Sequence, residues 1–443
     1  MAGEELFEEL PEADKPAAAW TAGAARLREP ARDQIELRVC DLDSLIGDDH
    51  AVRAMWAYAQ RLDLSELEAE IKAREHTPGQ APASPRLLLA LWLYATSDGV
   101  GSARALAKLC EQHHAYRWLC GGVSVNYHGL ADFRTAHPEL LDRLLTETVA
   151  SLSLSGVIDL DEVVQDGVKV RAAAGASSFR RRKTLDGELA KARQLVERLQ
   201  REGERDPDAG NRRRQAAAAR AARERQARVE AALVKLGEIE AERERRKKTN
   251  KAEVKKQGQP RASTTDAQAR VMKMADGGFR PAYNCQLATV AQGQIVVGAS
   301  VTATGSDRGL LRPMVDELEL RHGRRPERYL VDGGFNKNAD TEWAAGEGVT
   351  VYGPPCRTKH GTDPYAPRPD DGPGVAAWRQ RMQSAEGKEI YKRRSMGECI
   401  NARVRNNGLY QFTVRGLAKV QAVLHWHALA NNILAGQRLL AAA

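Results

Sequence analysis

The chain has 443 residues, 42% hydrophobic and 28% charged, with a formal net charge of +8. That length accommodates two or three domains with a sizeable core, and the modest positive excess hints at a polyanionic partner. No apolar run approaches the roughly 18 residues that span a bilayer, and the acidic N-terminus lacks the parts of a signal peptide, so residence in the cytosol with no membrane partner is expected.

Six scattered cysteines without a Cys-x-x-Cys argue against a zinc ribbon or disulfide framework and are expected to be buried reduced thiols. Residues 1–35 are rich in Ala, Glu, Pro and Arg without a sustained period and read as a loose tail. Residues 36–155 read as a helical domain. Asp48-Asp49 is the expected N-cap of a helix carrying Val52, Met55, Trp56, Ala59 and Leu62. After the breaker Thr77 to Ser84, Pro85 opens an apolar core helix, Leu87 to Tyr94, which Ser97-Asp-Gly99 ends. Ser102 caps Ala103 to Gln112, Tyr116 to Leu119 follows, and beyond Gly121-Gly122 comes a helix with Leu130, Phe133, Leu140 and Leu141. Short helices joined by tight turns suit a helix-turn-helix module and any small bundle equally well. His113-His114 has no third ligand at useful spacing and is expected to pack rather than bind metal.

From Val157 to Arg171 the chain is rich in β-branched residues and reads as strand, Asp166-Gly167 turn or bulge, strand. Residues 180–261 read as an insertion of two long helices broken at Asp206 to Gly210. Between 180 and 256, Lys and Arg number 25 against 14 Asp and Glu, a net of +11, so the positive excess is concentrated there. A solvated helical pair laced with ion pairs fits this composition. So does a grip on a phosphate backbone whose affinity falls with salt.

Residues 262–355 return to α/β patterning. Tyr283 to Val290, a turn at Gln292-Gly293 and Ile295 to Val301 form a hairpin. Asp307 is the expected cap of a helix, Leu310 to Leu320. A strand from Arg328 ends at Asp332, where open α/β sheets place their site groups. A helix from about Ala339 leads to the short strand Val349 to Tyr352. Residues 355–385 read as loop, 388–407 as one helix, and an apolar helix from Val423 to Leu440 closes the chain.

Taken as a single helix, Tyr391 to Arg405 places Tyr391, Arg394, Glu398 and Arg405 on one stripe and Met396, Cys399, Ile400 and Val404 mostly on a buried back. If the strands of Asp166 and Asp332 are neighbours and this helix packs beside them, three carboxylates converge. Such a cluster cannot stay ionised at pH 7 without compensation. Divalent cations supply it, and oxygen-only ligands favour Mg²⁺ or Mn²⁺ over Zn²⁺. Two such ions about 4 Å apart activate a water or a 3′-hydroxyl and stabilise the leaving oxygen of a phosphodiester. Lys169, Arg394 and Arg405 then hold phosphates, with Tyr391 as a further donor. A general α/β hydrolase or kinase finds no Gly-x-Ser-x-Gly and no Gly-x4-Gly-Lys-Ser/Thr.

The pattern Tyr391-x2-Arg394-x3-Glu398, with Arg405 seven residues on, resembles the signature helix of bacterial insertion-sequence DDE transposases, Tyr-x2-Arg-x3-Glu-x6-Lys. Arg405 replaces the final Lys, which exchanges a point charge for a bidentate donor. Val164-Gln-Asp166-Gly resembles the family's first aspartate motif, Tyr329-Leu-Val-Asp332-Gly-Gly-Phe its second, and Arg415-Gly-Leu-Ala-Lys-Val its C-terminal stretch. Asp41 to about His137 is similar to the helical domain that precedes this core. The likeness runs over most of residues 40–440 and looks nearest to the IS-four/IS-five superfamily, in the branch with a helical insertion.

The resemblance implies an α/β fold: a ribonuclease-H-like mixed-sheet catalytic core (156–179 and 262–443), an N-terminal helical DNA-binding domain (36–155) and a long helical insertion (180–261). It implies a catalytic and metal-holding triad of Asp166, Asp332 and Glu398 with Mg²⁺ or Mn²⁺ as a pair of ions, and DNA contacts from Tyr391, Arg394, Arg405 and Lys169. Hydrolysis at the element's ends, then attack of the freed 3′-hydroxyl on target DNA, requires no covalent protein–DNA intermediate. The implied partner is double-stranded DNA, at element ends and target, bound by a homodimer or larger assembly in the bacterial cytoplasm at the nucleoid. A nuclease or Holliday-junction-type enzyme on the same core, and a domesticated or inactive DNA-binding protein, are the competing readings. The presence of all three acids argues against the inactive one.

Overall fold

Helical periodicity governs the first part of the chain. The computed structural model describes residues 39–74, 76, 81–205, 209–249, 258–356 and 363–443, so the tail expected over 1–35 lies outside the described residues. The helices α1 (Ala51–Arg61), α2 (Ser65–Ala69), α3 (Pro85–Ser97), α4 (Ala103–Gln112), α5 (His114–Cys120), α6 (Tyr127–Ala136) and α7 (Pro138–Leu154) come first. α3 starts as expected. Ser84 Oγ accepts from Arg86 N, and Pro85 takes the first helical position, where a missing N–H costs nothing. α1 differs: its cap is His50, whose Nδ1 accepts from Val52 N at 3.2 Å, and not Asp48-Asp49. His113 caps α5 in the same way through Ala115 N, which gives it a structural role.

The strands are β1 (Glu162–Arg171), β2 (Phe179–Arg180), β3 (Ala262–Ser263), β4 (Arg270–Lys273), β5 (Phe279–Val290), β6 (Ile295–Thr302), β7 (Arg328–Leu330) and β8 (Thr350–Tyr352). Among the described residues a six-stranded sheet runs β4-β5-β1-β7-β8, with β6 also paired to β5. β1 is central, antiparallel to β5 and parallel to β7, which is parallel to β8. The fold is therefore mixed α/β.

Asp166-Gly167 is neither turn nor bulge. It lies within β1 in unbroken register, Asp166 opposite Leu287 and Gly167 opposite Gln286. A close approach accounts for the glycine: a Cβ there would stand 2.5 Å from Gln286 Nε2 and 2.6 Å from Asp307 Oδ1. Nor is Asp307 a helix cap. Its Oδ1 accepts from Asn284 Nδ2 and Gln286 Nε2, and the helix α10 (Leu311–His322) starts without a side-chain cap.

The insertion is a helical hairpin of α8 (Arg182–Arg205) and α9 (Ala209–Thr249). A small core of Leu185, Val229, Ala232 and Leu236 holds it, and the β2–β3 pair closes its base. Arg182–Glu240 and Arg193–Glu230 pair across it, and Arg198–Glu202 and Arg201–Glu197 pair along α8.

The C-terminal part adds α11 (Asn338–Gly346), α12 (Pro373–Gln383), α13 (Ala385–Lys392), α14 (Ser395–Asn406) and α15 (Leu417–Ala442). α12 falls inside the stretch expected as loop. Pro373 at its first turn and the buried Val375, Trp378 and Met382 are the helical signal there. α15 is the common spine. Its Val420, Val423, Leu424, Trp426 and Ile433 join one hydrophobic core with Val52, Trp92 and Leu145 of the helices and with Tyr283 and Val301 of the sheet. Arg134, 8% exposed, bolts the same junction: Nη1 donates to Gly101 O and Thr413 Oγ1, and Trp426 Nε1 donates to its carbonyl. Leu42–Ala443 accordingly forms one compact unit. All six cysteines are free. Cys110, Cys120 and Cys285 are buried as expected, whereas Cys40, Cys356 and Cys399 are exposed. Among the described residues no helix is long and apolar enough to cross a membrane.

Candidate active site

The central strand delivers Asp166 to the sheet face on which α14 packs. Gly397 of α14 comes so near that a Cβ on it would sit 3.1 Å from Asp166 Cβ and 2.9 Å from Val164 Cγ1. Beside β1, the parallel strand β7 ends at Leu330, and Asp332 follows two residues later. Asp332 Oδ1 accepts from Gly334 N at 2.7 Å and caps the short helical turn Gly333–Phe335. Two neighbouring parallel strands thus bring the two aspartates near one another, each two residues beyond the last β1–β7 pair, Val164 opposite Leu330. Glu398 follows Gly397 in the first turn of α14 and is exposed.

The helix expected over 388–407 is two helices. α13 ends at Lys392 and α14 begins at Ser395, with Arg393 and Arg394 between them. Arg393 pairs with Glu162 at the start of β1 at 3.1 Å, which anchors the joint to the central strand. The expected stripe survives only in part. Arg394 donates to Glu398 and lies 5.8 Å from the centre of the Tyr391 ring. Arg405 lies two turns further along α14, outside this cluster. The buried face of α14 is Gly397, Ile400, Asn401 and Val404. Met396 is only half-buried and Cys399 is exposed, so the expected apolar back was partly misplaced. Lys169 stands an odd number of residues from Asp166 on the same strand, beside Asn284, and so projects from the opposite face.

Gly397 and Asn401, which sequence reasoning missed, complete the setting of Asp166 together with Gly167. Asn401 Nδ2 donates to Asp166 Oδ2 at 2.9 Å, and Gly167 N donates to Oδ1 at 2.8 Å. The signal for Gly397 and Asn401 was the spacing 397, 400, 401, 404, which is one helical face, but neither residue is apolar. Beneath the site, on the other side of the sheet, Tyr329 OH donates to Gln165 Oε1 and Gln165 Nε2 to Gln286 Oε1, both at 2.8 Å. This buried network ties β1, β5 and β7 together and was not expected either.

Burial pushes the Asp166 carboxyl up from 3.8 to about 6. The Gly167 N–H, Arg394 and Asn401 oppose that rise, and the charge of Asp332 adds to it. Burial also raises the Tyr391 phenol, with Asp332 and Glu398 adding to the effect and Arg394 opposing it. Burial works against the charge of Arg394, but Glu398, Tyr391 and Asp166 together hold its pKa above the ordinary value. Asp166, Asp332, Tyr391, Arg394 and Glu398 are therefore one electrostatic cluster.

As arranged, it is not a closed metal site. Among the described residues no three His, Cys, Asp or Glu side chains stand together as a metal-holding group. Asp166 and Asp332 suit a hard divalent cation in type, being all-oxygen donors, and burial makes the Asp166 charge costly, a cost that a bound cation would offset. Glu398 is ion-paired with Arg394 through one oxygen and is otherwise exposed.

Residues 41–136 match the family model described as a transposase domain (DUF772). Neither a curated protein nor a solved structure matches the chain. The matched segment takes in α1 to α6 and stops before β1. It supports a transposase family and role for the chain through its helical part, while Asp166, Asp332 and Glu398 all lie outside it.

Proposed function

We propose that this chain is a DNA transposase of the insertion-sequence DDE type, with Asp166, Asp332 and Glu398 as its catalytic carboxylates. The observation that carries this reading is their placement. One aspartate lies on the central strand, one at the end of its parallel neighbour, and the glutamate on the helix pressed against the first. The same chain carries a match to a transposase domain. A mixed sheet with its central strand between an antiparallel and a parallel neighbour supports a ribonuclease-H-like core.

Asp166, Asp332 and, once released, Glu398 would hold Mg²⁺ or Mn²⁺, which when bound activates a water or 3′-hydroxyl and stabilises charge at phosphorus. The chain's own residues supply the rest. Arg394 presents a guanidinium fork that takes a phosphate as readily as a carboxylate. A DNA phosphate that captures Arg394 sets Glu398 free, so arrival of the backbone and completion of the carboxylate set become one event. Asn401 and the Gly167 N–H keep Asp166 aimed, and Tyr391 adds a hydrogen-bond donor. Arg405 extends the phosphate contacts along α14. Lys169, on the other sheet face, is left out of this site. Double-stranded DNA, at element ends and target, is the partner, held by a dimer or larger assembly because two ends must be joined in one complex. The α8–α9 hairpin, with its local positive excess, grips the flanking backbone.

The test is Mg²⁺- or Mn²⁺-dependent cleavage of DNA carrying the gene's own flanking sequence, with Asp166→Asn, Asp332→Asn and Glu398→Gln alongside. Cuts at discrete flanking positions, lost in all three variants, are expected. Binding without cutting, with the variants indistinguishable from the parent, would overturn the reading in favour of an inactive DNA-binding protein.

A further inference from the structure

Two arginines that the proposed chemistry does not use meet at a cavity beside α14. Arg403 lies in the second half of α14, and Arg438 lies near the end of α15. They line a cavity of about 310 Å³ together with Met396, Leu439 and the turn residues Gly293 and Gln294 between β5 and β6. No acidic residue lines this cavity. Among the described residues neither guanidinium is paired with a carboxylate; the hydrogen bonds of both go to neutral oxygens.

Those neutral groups fix Arg403. Its Nη1 donates to Asn431 Oδ1 at 2.8 Å and its Nη2 to Gln294 Oε1 at 2.6 Å. Asn431, 3% exposed, is itself held by donating to the Gln294 carbonyl at 3.0 Å and to Asn432 Oδ1 at 3.2 Å. A guanidinium has five N–H donors, so Arg403 is oriented while most of its donors and all of its charge stay available. Arg438 spends its Nε on the Leu434 carbonyl at 3.2 Å and keeps its Nη groups. Burial, and after it the charge of Arg438, holds the Arg403 guanidinium below the ordinary arginine value; a bound anion would offset both.

The turn that supports Arg403 is strained. Gly293 and Gln294 have φ of 63° and 57°. Glycine adopts that conformation freely, and glutamine does so at a cost. Packing on α15 enforces it, since a Cβ on Gly293 would collide with Leu439. The strained residue is the one whose side chain and carbonyl hold Arg403 and Asn431. Strain of this kind gathers at binding sites, where the surroundings over-determine it.

We propose that Arg403 and Arg438, with Gln294 as positioning residue, form a phosphate-binding pocket separate from the carboxylate cluster. Two guanidinium forks suit an anion with several oxygens, and phosphate offers them with charge. The phosphate belongs either to the DNA backbone or to a free phosphate ion. Backbone is within reach: the turn follows Val290, which stands opposite Val163, three residues before Asp166 on β1. That is about 10–14 Å along the strand, and each DNA strand carries a charge about every 3.4 Å of helix axis. Only the backbone source rests on the transposase reading.

The experiment has two arms, both on the full chain. The first follows melting as inorganic phosphate replaces chloride at constant ionic strength, without DNA. The parent should show a saturable rise of about 1–3 °C. Arg438 is exposed, so Arg438→Gln should fold like the parent, yet it should need several-fold more phosphate for the same rise. Arg438→Lys, which keeps the charge and loses the fork, should fall between. The second arm measures the log–log salt dependence of binding to a duplex of arbitrary sequence in EDTA, where Arg438→Gln should lower the slope by about 0.9. A change in the first arm alone assigns the pocket to free phosphate, and a change in the second assigns it to the DNA backbone. Arg438→Gln matching the parent in both arms would overturn the proposal. A parent that binds no duplex would count against the transposase reading, and the first arm would still decide the pocket.

Discussion

Asp166 sits where burial makes its charge costly, so Asp166→Asn should stabilise the fold while abolishing activity. Its folded value is about 6 against an ordinary 3.8. An acid with a raised folded value binds its proton more tightly when folded. The penalty is therefore absent well below 3.8, grows as pH rises through the gap and is complete above about 6. At 1.36 kcal/mol per unit this amounts to about 3 kcal/mol at pH 7.5 and about 1 kcal/mol at pH 4.5. The hydrogen bonds need not be lost. An amide keeps an oxygen for the Gly167 N–H, and its N–H group would face Asn401, whose Oδ1 is buried without a partner and can turn to accept. Unfolding of parent and variant in urea, with EDTA present, should show the variant more stable by about 3 kcal/mol at pH 7.5 and about 1 kcal/mol at pH 4.5. An equal gain at both pH values would refute the electrostatic reasoning. A loss at both would show that the carboxylate's hydrogen bonds outweigh the cost of its charge.

Mn²⁺ should raise the melting temperature of the parent over its value in EDTA and leave Asp166→Asn unmoved; equal shifts would place the ion elsewhere. Gly397→Ala should cost about 1–3 kcal/mol, because its Cβ would press on Val164 and Asp166. Gly187→Ala, in α8 with nothing within 4 Å, should instead gain about 0.5–1 kcal/mol. Thermal melts of the two together check whether close packing or helix propensity decides. Neutralising exposed Arg213, Arg214, Arg220 and Arg223 of α9 to Gln should flatten the log–log salt dependence of DNA binding by up to about 0.9 per lost phosphate contact. An unchanged slope would leave the hairpin as a solvated pair of helices.

What the sequence made legible was local. The Ser84 cap with Pro85 behind it marks the start of α3, and the Gln292-Gly293 turn between two apolar-rich runs marks β5 and β6. What it hid was set by distant partners. Asp166-Gly167 looks like a turn because glycine commonly serves that purpose, but here the missing Cβ makes room for Gln286 and Asp307, both more than a hundred residues away. The break at Arg393–Arg394 has no proline or glycine to announce it, and Arg393 is held instead by Glu162 on the central strand. Asp48-Asp49 has the right chemistry for a cap, yet His50 stands one residue before α1 and takes the role. Within the candidate site, the acids could be named from motifs. Asn401 and Gly397 could not, because their value lies in what they touch across the fold and not in their own polarity.

The shared core around α15 has a consequence for synthesis. The apolar faces of α1, α3, α6 and α7 are covered largely by a helix that begins at Leu417. At about 5–20 residues per second, the earlier helices wait on the order of tens of seconds beside the ribosome before their cover emerges. During that time they are candidates for chaperone binding and for aggregation. A chain interrupted before Leu417 would leave its helical region without a closed core, so truncation of the message would yield no separately folded helical fragment. Production of a foldable protein is thereby tied to translation of α15.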